Sequence, residues 1–277
     1  MDYFAPTSLN DALALMASEN LKIIAGGTDF FPTRAPAPLQ QSLLDVTRID
    51  ELAGFGWTDD GLRIGAAVRW SDIAKADLPT CFAGLQAAAR EVGSVQIQNS
   101  GTIVGNICNA SPAADGMPPL LTLGAEVELA GPTGTRRLPV EDFVTGVRQI
   151  QLEPGELVTG VLIPRLPAHS CAAFEKLGSR KYLVISITMV AVVIGCDAAG
   201  RIDFARVAVG ACSPVAKRLI ALEEALIGQN PRQLMISDQH LAPLSPISDI
   251  RADAAYRIEA VAEQITRAIH KAADTDG

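Results

Sequence analysis

The chain has 277 residues, of which 48% are hydrophobic and 19% charged, and its formal net charge is −8. This composition predicts a folded protein organised as one large domain or as two or three smaller ones, and it excludes a disordered or collagen-like chain. Because nucleic acids require a basic face, an acidic chain without a Lys/Arg cluster longer than two residues is not expected to bind them.

The N-terminus, the apolar runs, the cysteines and the histidines bear on where the protein is located and on whether it binds metals. The N-terminus, MDYFAPTSLND, has no cationic segment ahead of an apolar one, and no apolar run reaches the roughly 20 residues that cross a bilayer, so we expect a cytoplasmic protein without a membrane span. The five cysteines lack a CxxC pair and the three histidines are scattered. We therefore predict no metal ligands, and cysteines that are reduced and mostly buried.

The first part of the chain predicts a β-α-β start. Ser8 and Asp11 in TSLNDALALMASEN have the spacing of a capping box ahead of an apolar helical face. LKIIAGG predicts a short buried strand, and SLLDVTRIDELAG predicts a second strand and a turn. The strand end at Gly26 and Gly27 should face a crevice, which is where α/β folds bind ligands.

A second subdomain is predicted to begin near Trp57. DGLRIG indicates a strand, a helix is expected from Ser71, and FAGLQAAAREVG indicates a helix that Gly93 ends. A long segment with few charges follows, before strands around 136–139 and in GELVTGVLIP.

The last third predicts an antiparallel sheet packed under helices. CAAFEKLGSRKYLVISITMVAVVIG indicates a strand pair with a break at 178–180, and RIDFARVAVGACS continues the sheet. One helix is predicted from Pro214 to Gly228. A second helix should present an apolar stripe of Tyr256, Ile258, Val261, Ile265 and Ile269.

Two glycine-rich segments, 25–28 and 101–106, could hold a diphosphate. A diphosphate needs converging backbone N–H groups, and glycine allows the main chain to approach it closely. Thr102 could donate through its hydroxyl, and Asn106 offers both a donor and an acceptor. Either segment could instead be a plain turn, with Asn106 bonding its own backbone. The Rossmann and P-loop patterns are both absent, so a different fold would hold the nucleotide.

A carboxylate follows the second glycine segment. Asp115, in NASPAADGMPPLL, could accept hydrogen bonds from ribose hydroxyls or an adenine edge. The alternative is that Asp115 caps a helix beginning near Pro118.

Five segments of the chain carry a family resemblance when they are read together: IIAGGTDFFP, REVGSVQIQNSGTIVGNICNASPAAD, LLTLGAEVEL, PGELVTGVLIP and FEKLGSR. They resemble the FAD-binding medium subunit of bacterial molybdenum hydroxylases, the carbon monoxide dehydrogenase and xanthine dehydrogenase group. The similarity runs from Tyr3 to about Lys271. It implies an α+β fold: an FAD-binding, vanillyl-alcohol-oxidase-type (PCMH) unit of two subdomains, followed by a C-terminal antiparallel sheet with helices. The implied boundaries are 1–56, 57–167 and 168–277.

The resemblance also implies the cofactor and its contacts. The residues that would wrap the FAD pyrophosphate are Ile23, Ile24, Ala25, Gly26, Gly27, Thr28, Asp29 and Phe30, completed by Thr102, Ile103, Val104, Gly105 and Asn106. Asp115 matches the ribose or adenine contact, Val92 and Val158 match neighbours of the flavin ring, and Lys176 matches a lysine beside it. A cation there would favour reduced flavin, which carries negative charge near N1 and O2. Without the resemblance, Lys176 would be read as an exposed lysine at a strand end.

The resemblance implies an electron-transfer role without catalytic acid–base residues in this chain. FAD would take electrons from the [2Fe–2S] clusters of a small subunit and pass them to NAD⁺, a quinone or oxygen, while a molybdopterin-binding large subunit oxidises the substrate. A heterotrimer or a dimer of heterotrimers is expected. The alternatives are a free-standing flavin oxidase or reductase of the same superfamily, and a flavin-free structural subunit.

Overall fold

The computed structural model describes residues 2–33, 39–181 and 183–274.

The first sheet is small and parallel. The first elements are β1 (Tyr3–Phe4), α1 (Leu9–Ser18), β2 (Leu21–Ile24), β3 (Ser42–Asp45) and α2 (Asp50–Ala53). The strand order is β1-β3-β2, with all pairs parallel. Ser8 caps α1 as predicted, because its Oγ accepts the Asp11 N–H at 3.1 Å.

The second sheet has five antiparallel strands in the order β4-β5-β10-β6-β7. Its segment contains β4 (Phe55–Trp57), β5 (Leu62–Gly65), α3 (Trp70–Lys75), a 3₁₀ turn (Thr80–Phe82), α4 (Ala83–Glu91), α5 (Val95–Gln98), α6 (Ile103–Cys108), α7 (Met117–Leu123), β6 (Glu126–Gly131), β7 (Gly134–Pro139), α8 (Val140–Phe143), β8 (Val144–Gly146), β9 (Gln149–Ile150) and β10 (Leu157–Ile163). Strands β8 and β9 pair separately. The excursion between β5 and β6 carries the second glycine segment and Asp115.

The third sheet is antiparallel, in the order β11-β12-β13-β14. Its elements are β11 (Cys171–Leu177), β12 (Thr188–Cys196), β13 (Ile202–Gly210), β14 (Lys217–Arg218), α9 (Ile220–Leu226), α10 (Asp238–Leu241) and α11 (Ala254–Ala273). Helix α11 begins at the cap Asp253, whose Oδ1 accepts the Tyr256 N–H at 2.8 Å. It packs against β11 and β12. The predicted class, α+β, is confirmed.

The prediction of a helix beginning at Pro214 was wrong. Residues 217–218 form β14 on the edge of β13, and α9 begins only at Ile220. The N–H of Leu219 also donates to the Val207 carbonyl at 2.9 Å. The backbone groups of residues 217–219 therefore bond to the edge of β13 and are not available for the internal hydrogen bonds of a helix.

The predicted apolar stripe of α11 was wrong at its first residue. Tyr256 is 48% exposed, whereas the next residue, Arg257, is buried. Val261, Ile265 and Ile269 are buried as predicted. Arg257 takes the inward position because its guanidinium donates to the carbonyls of Ile187 and Ala211.

One buried cluster runs through all three sheets. It joins residues of the first two sheets to Ala172, Val193 and Ala208 of the third. A second cluster lies between the third sheet and α9, α10 and α11. Among the cysteines, Cys81, Cys171 and Cys212 are buried, and Cys108 and Cys196 are partly buried.

Candidate functional site

The two glycine segments lie against each other. A Cβ atom on Gly26 would lie 1.7 Å from the carbonyl oxygen of Ser100, so these two stretches of main chain touch. A Cβ atom on Gly101 would lie 3.2 Å from the Thr28 hydroxyl oxygen. Glycine is required at position 26, because any side chain would displace the neighbouring backbone. The two segments therefore lie side by side at the end of β2.

The first segment turns sharply at Gly27. Its φ of +67° favours glycine, and a Cβ atom there would lie 2.6 Å from the ring of Phe31. The next residues form consecutive turns, closed by the Phe31 N–H donating to Gly27 O at 3.1 Å. Ile23 and Ile24 end β2, Ala25 and Gly26 lie in the bend, and Thr28, Asp29 and Phe30 lie in the turns.

The second segment is mostly helix and only partly loop. Thr102 is the N-cap of α6, and its Oγ1 accepts the Gly105 N–H at 2.9 Å. Ile103 and Val104 are buried in the first turn. The amides of Gly101, Ile103, Gly105 and Asn106 already donate within the protein. The groups of this segment that could serve a ligand are therefore the Thr102 hydroxyl proton and the remaining amides.

Asn106 connects this helix to the carboxylate segment. Its Oδ1 accepts the Gly116 N–H at 3.1 Å, ten residues along the chain. The alternative that Asn106 bonds its own local backbone is therefore wrong for the amide oxygen. This bond fixes the position of Asp115, the neighbour of Gly116, relative to α6.

Asp115 does not cap a helix. Helix α7 begins at Met117 with Gly116 as its N-cap and no side-chain capping bond. The carboxylate instead contacts two residues of the third sheet region: Lys176 Nζ lies 2.8 Å from Oδ2, and Ser186 Oγ donates to Oδ1 at 2.8 Å. The capping alternative is thus wrong, and the carboxylate joins the second and third sheet regions.

Lys176 is not an exposed lysine at a strand end. Its side chain is 7% exposed, it lies in β11, and it donates a second hydrogen bond to the Glu91 carbonyl at 3.2 Å. The pKa of Asp115 is raised above its ordinary value, because burial outweighs the charge of Lys176 and the hydrogen bonds from Lys176 and Ser186, which lower it. A buried, hydrogen-bonded ion pair therefore stands where the sequence predicts two separate cofactor contacts.

The two valines of the predicted set are buried. Val92 directly follows α4, next to the Glu91 carbonyl that Lys176 bonds. Val158 lies in β10, where the pairing with β6 shifts register between Val158 and Gly160. Both valines belong to the same buried apolar cluster as Ile103 and Val104, and Val92 also lies next to the ion pair.

Two residues near these groups were missed by sequence reasoning. Trp70 is 1% exposed; its backbone N–H donates to Gly101 O at 3.1 Å, and its ring fills the space beside Gly116. Ser186 lies between β11 and β12, beyond the break predicted at 178–180, and it bonds Asp115. No local pattern signals either contact, because each joins residues far apart along the chain.

Comparison with known families identifies the chain. Residues 1–166 match the family described as the FAD binding domain in molybdopterin dehydrogenase, and residues 172–272 match the CO dehydrogenase flavoprotein C-terminal domain. The chain belongs to this family of FAD-binding medium subunits of molybdenum hydroxylase complexes. It is therefore an oxidoreductase subunit, and its cofactor is FAD.

Individual relatives agree with this placement. The nicotinate dehydrogenase FAD-subunit of Eubacterium barkeri is 34% identical over 82% of this chain and 79% of its own length. The xanthine dehydrogenase FAD-binding subunit of Escherichia coli O157:H7 is 30% identical over 99% of this chain and 97% of its own. A solved structure of carbon monoxide dehydrogenase from Hydrogenophaga pseudoflava superposes with a TM-score of 0.87 at 28% identity, covering 100% of this chain and 98% of that one.

The described residues contain neither a metal-binding cluster nor a membrane-spanning helix. Within 2–33, 39–181 and 183–274, no group of three or more His, Cys, Asp or Glu side chains is arranged to hold a metal ion. In the same ranges, none of the helices combines the length and the apolar character needed to span a bilayer.

Proposed function

We propose that this chain is the electron-transfer subunit of its complex, receiving electrons from [2Fe–2S] clusters of a small partner subunit and delivering them to NAD⁺, a quinone or oxygen. Bound FAD supplies the redox chemistry, since it accepts electrons and passes them on. The protein residues bind and orient the cofactor and set the charge around it. A molybdopterin-binding large subunit completes the complex, as a heterotrimer or a dimer of heterotrimers.

The binding set that we propose is the one that the sequence predicts. The residues are Ile23, Ile24, Ala25, Gly26, Gly27, Thr28, Asp29, Phe30, Val92, Thr102, Ile103, Val104, Gly105, Asn106, Asp115, Val158 and Lys176. The observation that carries the proposal is the main-chain contact between Gly26 and Ser100. That contact supports the proposal because it holds the two glycine segments side by side, where we expect backbone amides and the Thr28 and Thr102 hydroxyls to bind a diphosphate.

The ion pair changes the role expected of Lys176. An isolated ammonium beside the flavin would favour the negatively charged reduced form. Because Asp115 Oδ2 lies 2.8 Å from Nζ, the two charges largely cancel at a distance and act as a dipole. We propose that this pair orients the cofactor through hydrogen bonds and raises its potential less than a lone lysine would.

The subdomain boundaries that we propose are 1–56, 57–167 and 168–277, with FAD between the first two subdomains and the third. Support comes from the three sheets, which occupy 3–45, 55–163 and 171–218. The Asp115–Lys176 bond crosses from the second of these regions to the third.

Flavin content tests the binding set. We expect Asp115→Ala and Gly27→Val to lower the FAD-to-protein ratio of the purified chain at least several-fold, measured by flavin absorbance after denaturation. Asp59→Ala is the control for an exposed carboxylate, and Gly200→Val is the control for a glycine at φ +72° with no atom near its Cβ position. Full FAD occupancy in both test variants would contradict the proposed set.

Purification through a tag on this chain tests the electron-transfer role. We expect a yellow complex that contains molybdenum and iron, and whose reduced flavin is reoxidised rapidly by one of NAD⁺, a quinone or oxygen. The isolated chain should not turn over small-molecule substrates. Turnover by the chain alone would support the free-standing oxidase or reductase instead, and a colourless but assembled complex would support the structural subunit.

A further inference from the structure

Ser186 has no place in the binding set above, yet it touches the set's buried carboxylate. Its Oγ donates to Asp115 Oδ1 at 2.8 Å, and the residue is 3% exposed. We propose that Ser186 is a positioning residue of the FAD site, which holds the Asp115 carboxylate in one orientation and in its ionised form so that it can accept hydrogen bonds from the cofactor. This inference rests on the proposed role of Asp115 in FAD binding.

The backbone that carries Ser186 is fixed on both sides of the next residue. The N–H of Ile187 donates to the Leu177 carbonyl at 2.7 Å, which closes the β11–β12 hairpin. The carbonyl of Ile187 accepts from the buried guanidinium of Arg257, which also donates to Ala211 O at 3.2 Å. The Ser186 hydroxyl is therefore held before any ligand arrives, as a supporting residue of a binding site should be.

Lys176 and Ser186 bond different oxygens of the carboxylate. Lys176 bonds Oδ2 and supplies the opposite charge, whereas Ser186 bonds Oδ1 and stops the carboxylate from turning. An ionised carboxylate has about four acceptor positions, so each oxygen can still accept a bond from a ligand. Without Ser186, Oδ1 of this buried group would lose its hydrogen bond.

The hydrogen bond also favours the charged form of Asp115. Burial raises the pKa of Asp115, and Lys176 and Ser186 oppose that rise. Lys176 is the charged group in contact with the carboxylate. Lys176 also lines a groove between α4 and β11, and the other charged residues of that groove are Arg90, Glu91, Glu175 and Lys271. Removing the Ser186 hydroxyl would raise the pKa of Asp115 further, so that protonation, and with it loss of FAD, would occur at a higher pH.

The test is rebinding of FAD by the full-length chain after its flavin has been removed. Binding is measured by the quenching of FAD fluorescence, at pH values from mildly acidic to neutral. We expect Ser186→Ala to bind FAD about tenfold more weakly at neutral pH, equivalent to about 1.4 kcal/mol. As the pH is lowered, the FAD affinity of this variant should also begin to fall at a higher pH than the FAD affinity of the wild type. Ser170→Ala is the matched control, because Ser170 is equally buried and its hydroxyl has no hydrogen-bond partner.

Two further variants separate positioning from general damage. Ser186→Thr keeps the hydroxyl and should restore the wild-type pH dependence. In an Asp115→Asn background, Ser186→Ala should change FAD affinity less than twofold, because the carboxylate that it acts on is gone.

The result that contradicts the role of Ser186 differs from the result that contradicts the proposed role of Asp115 in FAD binding. If Asp115→Ala loses FAD while Ser186→Ala behaves like Ser170→Ala, or loses affinity without a shift in pH dependence, then Ser186 is not a positioning residue. If Asp115→Ala binds FAD as well as the wild type, the proposed binding role of Asp115 fails instead.

Discussion

At the scale of single residues, Gly26 sets the strictest requirement on the proposed site. The position that its Cβ would occupy is 1.7 Å from Ser100 O, and this neighbour is backbone that cannot rotate away. Gly27, by contrast, is constrained mainly by its φ of +67° and by a side chain, Phe31. The sequence indicated glycine-rich turns at both positions, but the contact with residue 100 is long-range and no local pattern predicts it.

We expect Gly26→Ala to separate the two glycine segments, because even one methyl group overlaps the Ser100 carbonyl. The free energy of unfolding should fall by about 1–3 kcal/mol, as for an overpacked site, and FAD occupancy should fall with it. Urea unfolding and flavin absorbance are the measurements.

Gly56→Ala serves as the control for this prediction. Gly56 lies in β4 with no atom within 4 Å of its Cβ position, so the change should stay within about 0.5 kcal/mol. Equal stability and flavin content in the two variants would show that the segments do not need close contact.

At the scale of elements, α11 does more than cover the third sheet. Through Arg257 it binds the carbonyls of Ile187 and Ala211, which lie next to the start of β12 and the end of β13. Arg257 also lies 2.7 Å from Asp249, whose pKa is lowered to about 2, first by the backbone N–H of Arg251. One buried cation thus ties a helix to a sheet edge and to a loop.

We expect Arg257→Met to destabilise the protein by on the order of 3 kcal/mol, because two carbonyls lose their donor and each buried orphan costs about 1–3 kcal/mol. Urea unfolding of the variant measures this change. FAD binding should weaken as well, since Ile187 no longer fixes Ser186.

Arg267→Met, on the same helix, is the matched control. Arg267 and Glu263 form an exposed pair one helical turn apart, so removing the arginine should cost no more than about 0.5 kcal/mol. A similar loss in both variants would mean that the buried contacts of Arg257 contribute little.

At the scale of the whole molecule, the two matched family segments share a core. Ala172, Val193 and Ala208 of the C-terminal part lie in the same buried cluster as the first two sheets. Arg206 of β13 adds a hydrogen bond to Thr122 O of α7 at 3.2 Å. The two family segments are therefore packed against each other.

We expect the chain to unfold in one cooperative step, because separating the two segments would expose this common cluster. Fluorescence of Trp57 and Trp70 reports the N-terminal part, and far-UV ellipticity includes the 20-residue helix α11 of the C-terminal part. The two urea transitions should have the same midpoint. An earlier loss of ellipticity would show that the C-terminal part unfolds independently.

The sequence by itself determined the features that depend on neighbours along the chain. The cap at Ser8, the end of α4 before Gly93 and the strand before Gly26 follow from local hydrogen bonds, backbone freedom and apolar spacing. The motifs likewise sufficed for the family and its cofactor, because the segments that carry the resemblance occur in order along the chain.

Only the tertiary structure decided the contacts between distant residues. Lys176 and Ser186 lie 61 and 71 residues from Asp115, and α9 begins late because the edge of β13 pairs with residues 217–218. Burial of Arg257 likewise depends on carbonyls that other elements leave open. Periodicity and capping act over a few residues, whereas the partner of a buried charge or a sheet edge is set by which segments the fold brings together.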